Sequence, residues 1–184
     1  SFSSIKIEKS DIAVYLQLPE NYDSYLKSLS KKNRHELKRK KRIFEDKFDD
    51  FSYEQSKDET IFDEFITLHR NSTGEKGDYM TEEIEKFYKA LFEEDKWVIH
   101  YLKFKDLMIA GAFVYESEMV DYLYNSCRDH NLDKFNTGTY LNDQLLQNSI
   151  KKSKQYFDFL KGEEKYKFNF GGEVHQLYDL KIKV

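Results

Sequence analysis

Three β-rich runs, Trp97 to Phe104, Leu107 to Tyr115 and Met119 to Cys127, follow one another with only short polar breaks at Lys105-Asp106 and near Glu116-Ser117-Glu118. Breaks this short leave room for tight turns, so the runs are expected to pair as an antiparallel meander. The rest of the chain must cover or extend that sheet. Upstream, Ile12 to Leu18 reads as a strand stopped by Pro19 and Asn21. Tyr22, Leu26, Leu29, Asn33, Leu37, Phe44 and Phe48 then recur at three- and four-residue steps or their multiples, which predicts one long helix over 22–48 with a narrow apolar stripe. Phe51 to Gln55 is a short strand. Ser56-x-x-Glu59 is a capping-box pattern before a helix carrying Phe62, Phe65, Ile66 and His69, with Gly74 and Gly77 as its stop. Thr81 with Glu82 and Glu83 opens another helix, whose Ile84, Phe87, Tyr88, Leu91 and Phe92 form one apolar face. Downstream, residues 138–152 return to helical spacing, Tyr156 to Leu160 read as a buried strand, and Tyr178, Leu180, Ile182 and Val184 alternate in a final strand. The mixture is an α/β (α+β) pattern.

Composition narrows the class. A chain of 184 residues suits one domain over 1–184, and 15 Phe with 14 Tyr supply core material although 35% of the residues are charged. The start at Ser1 rather than Met fits a C-terminal piece of a longer protein. A net charge of −4 argues against general nucleic-acid binding. Absence of a long apolar run and of a signal-peptide pattern leads to an expectation of no membrane and a cytoplasmic location. The lone Cys127, at the end of a strand, reads as a buried small hydrophobe, and the five histidines show no paired spacing for a metal. Eight basic residues between Lys31 and Arg42 read as a solvated helix face, because Glu45, Asp46, Asp49 and Asp50 follow at once.

Two stretches carry chemistry. Asn136-Thr137-Gly138-Thr139 opens a helix after a strand and a polar loop, where unpaired backbone N–H groups and a glycine can cradle an anion, with Lys134 and Arg128 adding charge. The alternative is an ordinary helix cap. Asp158-Phe159-Leu160-Lys161-Gly162-Glu163-Glu164-Lys165-Tyr166-Lys167 runs from a buried strand into a dense ionisable cluster, which offers acid, base and anion-binding roles if burial shifts its pKa values. The alternative is a solvated charged turn.

The order Leu18-Pro19, Tyr25-Leu26, Leu29-Ser30, Lys32-Asn33-Arg34, Glu36-Leu37, Arg39, then Ile109-Ala110-Gly111, Asn136 to Leu141, and Asp158 to Lys167 resembles the GNAT acetyltransferase domain of the FemAB-like and cellulose-biosynthesis-associated type, over nearly the whole chain. The family often has proline near the equivalents of Thr137 and Lys165, and this chain does not. The resemblance implies a GNAT fold: a central, mostly antiparallel mixed sheet with splayed middle strands, flanked by helices, that binds acetyl-CoA or another acyl-CoA as co-substrate. It places Tyr124, Asn125 and Ser126 on the splayed strand, the pyrophosphate at Lys134 and Asn136 to Thr139, strand 155–160 as the other wall, and Ile109 to Gly111 near the thioester. It implies transfer to an amine on a small molecule. Glu163, Asp158 and His69 are the candidate bases, Tyr166 or Tyr124 the candidate acid, and Lys165 and Lys167 the candidate acceptor contacts. Arg34 either meets an acidic substrate or braces the domain. Competing readings are a FemAB-like transferase using aminoacyl-tRNA and a silent binding module. Oligomeric state is not legible.

Overall fold

The computed structural model describes residues 4–72 and 78–183. Strand β1 (Ser4–Gln17) leads into helices α1 (Tyr22–Ser28) and α2 (Lys31–Lys47), then β2 (Phe51–Ser56), α3 (Glu59–Arg70) and α4 (Glu82–Phe92). The meander follows as β3 (Trp97–Phe104), β4 (Leu107–Glu116) and β5 (Val120–Arg128). A 3-10 turn (His130–Phe135), α5 (Thr137–Lys151), β6 (Tyr156–Lys161), α6 (Lys165–Asn169) and β7 (Glu173–Lys183) complete the chain. The seven strands form one sheet in the order β2-β3-β4-β5-β6-β1-β7. All neighbours are antiparallel except β5 and β6. Among the described residues, no helix is long and apolar enough to cross a membrane.

Four expectations need correction. The predicted helix over 22–48 is two helices, because Leu29 turns extended and the Ser30 side chain caps α2 by accepting from the Asn33 N–H. An apolar stripe with the right spacing persists through such a break. The expected cap at Ser56 is also displaced: α3 starts after Asp58, and the Ser56 hydroxyl instead accepts from the Asp58 N–H in the preceding turn. The first and last strands in the chain reach further than the alternation suggests, β1 from Ser4 and β7 from Glu173, since the two pair with each other over most of their length. The segment after Glu164, read as a dense ionisable cluster or a solvated charged turn, winds into α6. The expected stop at Gly74 and Gly77 lies outside the described residues.

Two apolar clusters sandwich the sheet. Phe44, Phe48, Leu141, Leu146 and Phe157 pack α2 and α5 onto one face, and Phe62, Phe65, Tyr88 and Phe113 pack α3 and α4 onto the other. At fifteen residues α5 crosses the sheet beneath β3, β4 and β5. In the basic run, Lys41 turns inward: its ammonium meets the fully buried Asp143 carboxylate at 2.6 Å, which fixes α2 against α5.

Candidate functional site

Strands β5 and β6 run side by side only through Val120↔Tyr156, Asp121↔Phe157 and Tyr122↔Asp158. Beyond Tyr122 the strands part, and the five paired residues of β5 between Leu123 and Arg128 meet only β4. The result is a wedge in the middle of the sheet.

A bulge re-aims β5 inside that wedge. Phe113 faces Asn125 and Val114 faces Leu123, so Tyr124 is the extra residue. Tyr124 and Asn125 consequently both point to the α3/α4 side: Tyr124 packs on Tyr88 and Trp97, and the Asn125 amide donates to the Tyr88 hydroxyl at 2.7 Å. The Asn125 carbonyl also accepts from the Ser126 N–H. The alternation resumes one residue out of step, so Cys127 joins the α3/α4 cluster while Ser126 and Arg128 face the start of α5.

There they line a cleft of about 520 Å³ with Asn136, Thr137, Gly138 and Thr139 on one side and Glu164, Tyr166 and Phe170 on the other. Asn136 adopts a left-handed conformation (φ 60°) that turns the chain abruptly into α5 and supplies no side-chain cap. The N–H groups of the first helical turn therefore have no intrahelical acceptor and carry the positive end of the helix dipole. Thr137 is fully buried, and its hydroxyl has no partner among the described residues. An orphaned hydroxyl at a helix start opening into a cleft is a place for a ligand oxygen. Gly138 matters sterically, since a Cβ there would lie 3.1 Å from Arg128 Cδ. The Arg128 guanidinium is engaged by Asp133 at 2.6 Å, which holds the Asp133 carboxyl below its usual range. A second groove, about 280 Å³, continues from the cleft past Thr139, Tyr166 and Phe170 to Lys32, Lys40 and Lys165.

The structure thus brings Ser126, Asn136, Thr137, Gly138, Thr139 and Tyr166 to one cleft, with Tyr124 and Asn125 on the far side of the bulge and Lys165 in the adjoining groove. Asp158 stands at the apex of the wedge, and desolvation raises its carboxyl above the ordinary Asp range despite a hydrogen bond from the Leu160 N–H. Burial pushes the Tyr166 hydroxyl up to about 12, so it stays protonated at neutral pH.

Other candidates are placed elsewhere. Lys167 is only 2% exposed and donates to the carbonyls of Leu160, Lys161 and Gly162 while pairing with Glu164, so it ties α6 to the end of β6 and has no reach toward an acceptor. The Arg34 guanidinium donates to the carbonyls of Leu26 and Lys27, closing the C-terminus of α1, which is the bracing role. Glu163 is exposed and lines neither cavity. His69 is buried between Phe65 and Tyr79, behind the α3/α4 cluster. Lys134 is exposed with its ammonium over the Phe135 ring, outside the cleft. Gly111 faces Phe65, since a Cβ there would come within 2.8 Å of that ring, so its smallness serves α3 packing. Three cleft residues escaped sequence reasoning: Asp133, Asn142 and Phe170 carry no motif, and only the fold brings them in.

The Acetyltransferase (GNAT) domain model matches residues 31–168, most of the chain. No curated protein matches the sequence significantly. Among solved structures, a conserved protein of unknown function from Bacteroides thetaiotaomicron superposes with a TM-score of 0.72 at 12% identity, covering 98% of this chain and 62% of that one. FemX gives a TM-score of 0.65 at 11% identity (92% and 60% covered), and a functionally unknown conserved protein from Staphylococcus epidermidis gives 0.60 at 8% (97% and 62%). The chain spans about three fifths of the length of these structures, and the likeness is one of fold. With a parted pair of parallel strands, a helix start facing the wedge and the family match over the same residues, the chain belongs to the GNAT acetyltransferase domain family.

Proposed function

We propose that this domain transfers an acyl group, acetyl in the simplest case, from an acyl-CoA to an amine of a small molecule, and that it does so in the cytoplasm where acyl-CoA is available. The observation that carries the reading is the start of α5: uncapped N–H groups, a buried hydroxyl without a partner and a side-chain-free Gly138 open together into the cleft beside the parted strand. Those features suit a diphosphate, whose oxygens accept from backbone N–H groups at a helix N-terminus. Arg128, Asp133 and Glu164 leave the cleft itself without net positive charge, so anion affinity there rests on the helix start. The groove with Lys32, Lys40 and Lys165 supplies ammonium groups for more distant phosphate charge.

The donor would bring a carbonyl carbon activated as a thioester. The chain's own residues would do the rest. The wedge, opened by the bulge at Tyr124, admits the thin pantetheine arm between β5 and β6 and leaves strand edges free to bond its amides. Asp158 at the apex accepts the proton of the incoming amine, and desolvation, which raises its pKa, makes it a stronger base than an ordinary Asp. The amine nitrogen forms the new C–N bond as the C–S bond breaks, and the departing sulfur takes a proton from the Tyr166 hydroxyl on the cleft wall. The chemistry needs no covalent enzyme intermediate.

Titration calorimetry with acetyl-CoA tests the reading: micromolar affinity is expected for the native protein, and Gly138→Asp should weaken it at least about tenfold by placing a carboxylate among the phosphate oxygens. Equal affinity for the two folded proteins would reject the assignment. The fold likeness to FemX favours a second reading, an aminoacyl-tRNA donor at the same wedge. Transfer of a labelled aminoacyl group from tRNA, with no transfer from acetyl-CoA, would select it.

A further inference from the structure

Six residues on six adjacent strands are consecutive register partners: Trp97, Tyr115, Tyr122, Asp158, Tyr15 and Glu173. Directly opposed residues share a face of a sheet. This row therefore lies on the face opposite Phe157, Val14 and Leu16, which belong to the α2/α5 core. The cluster under α3 and α4 draws on β3, β4 and β5 but includes nothing from β6, β1 or β7, so among the described residues that face is uncovered around Asp158.

Tyrosines border the carboxylate on both sides. Tyr122 contacts Tyr115, and on the far side Tyr15 makes edge contacts with Tyr156 and His175, while no ring pair bridges from Tyr122 to Tyr15. Asp158 occupies the gap. The hydroxyls of Tyr15, Tyr115, Tyr122, Tyr124 and Tyr156 have no hydrogen-bond partner among the described residues. Those of Tyr25, Tyr88 and Tyr140, inside the fold, are all bonded. A face of ring surfaces and unused hydroxyls around one carboxylate matches a ligand with apolar C–H faces, several hydroxyls and one basic nitrogen.

We propose that this face is the acceptor site and that it takes an amino sugar. The amine meets Asp158, which lies at the apex where β5 and β6 part, and the pyranose lies against Tyr122 or Tyr15 with its hydroxyls on the neighbouring phenols. A polymethylene amine would meet the carboxylate and the ring faces but leave the phenols without partners. The assignment rests on the acyltransfer reading for its chemistry, since the wedge brings the acyl carbon to the same apex, but the binding site stands on its own residues.

The test is an NMR titration of the protein carrying 13C-labelled tyrosine with glucosamine, glucose and cadaverine, run beside calorimetry with acetyl-CoA. Glucosamine should move the resonances of Tyr15, Tyr122 and Tyr156 and bind at least about tenfold more tightly than glucose, the difference being the charge-assisted bond to Asp158. Asp158→Asn should bring the two sugars to equal affinity. Tyr15→Phe and Tyr122→Phe, which keep the rings and the fold, should each weaken glucosamine severalfold. Cadaverine binding as tightly as glucosamine overturns the sugar assignment, and unmoved tyrosine resonances overturn the site. If acetyl-CoA binds and glucosamine does not, this inference fails and the acyltransfer reading survives. If glucosamine binds and acetyl-CoA does not, the sugar site stands on its own residues, and its acceptor role falls with the acyltransfer reading.

Discussion

Tyr122 on β5 and Asp158 on β6 are the last register partners before the two parallel strands separate. The candidate site is arranged about that pair: the bulge follows Tyr122 by two residues, the cleft lies along the freed length of β5, and the uncovered tyrosine face extends from Asp158 across β1.

Asp158→Asn should reduce turnover by roughly 10² to 10⁴ while leaving acetyl-CoA affinity intact, because the amide keeps the shape of the carboxylate but cannot take a proton. In the native protein kcat/KM should fall as pH is lowered through a pKa above the ordinary Asp range, since only the ionised form is a base. The same shift has a stability consequence. A carboxyl whose folded pKa is raised favours folding most below its unfolded pKa and loses that contribution as pH rises through the folded value. The Asn variant should therefore melt higher than wild type at neutral pH, and melting curves at pH 4 and 7.5 check the sign.

Thr137→Val separates folding from binding at the start of α5. The hydroxyl is fully buried without a partner, so replacing it by a methyl of similar size should leave stability unchanged or raise it by about 1 kcal/mol. Donor affinity should fall, by about tenfold if the hydroxyl bonds a phosphate oxygen. A variant that is both less stable and equally tight would show that the hydroxyl serves the fold.

Lys167→Met should cost about 2 to 4 kcal/mol of stability, because it strips the shared donor from three carbonyls and leaves a buried apolar side chain among them. Arg34→Ala should cost less, about 1 kcal/mol, as its two carbonyl acceptors lie at a partly exposed helix end. Neither should change the acceptor KM once the protein is folded. Chemical denaturation and steady-state kinetics on the same samples distinguish these roles from substrate contacts.

What the sequence shows of this fold is what local pattern can encode. The meander, the start of α4 at Thr81 and the strand-loop-helix order around Gly138 are legible because alternation, caps and glycine act within a few residues. The break at Leu29 and Ser30 is not, since the apolar stripe continues in phase across it. The bulge at Tyr124 and Asn125 is equally hidden: both residues suit a regular strand, yet the extra residue decides that the Ser126 and Arg128 side chains turn to the start of α5 while Asn125 turns to Tyr88 and Cys127 joins the α3/α4 cluster. The neighbourhood of Asp158 depends on Tyr15, which the threading of β1 between β6 and β7 brings beside it, and on Tyr122, which the parallel pairing of β5 with β6 sets on its other side. Lys167 reads like a substrate lysine because its sequence neighbours are charged, and burial alone reveals its use.

Asp133→Asn tests how charge is held at the mouth of the cleft. In the native protein the Asp133 carboxylate binds the Arg128 guanidinium through Nε at 2.6 Å and also lies near His130, so the guanidinium that lines the cleft among the described residues is neutralised where phosphate charge is expected. Removing that carboxylate's charge frees Arg128 to meet the diphosphate and removes a repulsive oxygen from the same cleft. Acetyl-CoA should therefore bind several-fold more tightly to the variant, with the gain shrinking as salt is raised, because the pair is partly exposed and screened. Stability should change by less than about 1 kcal/mol, as expected for an exposed ion pair. Calorimetry at 50 and 300 mM salt reads both effects. Weaker binding in the variant would mean that Asp133 is needed to orient Arg128 toward the ligand, and that the guanidinium acts as a fixed donor whose geometry matters more than its free charge.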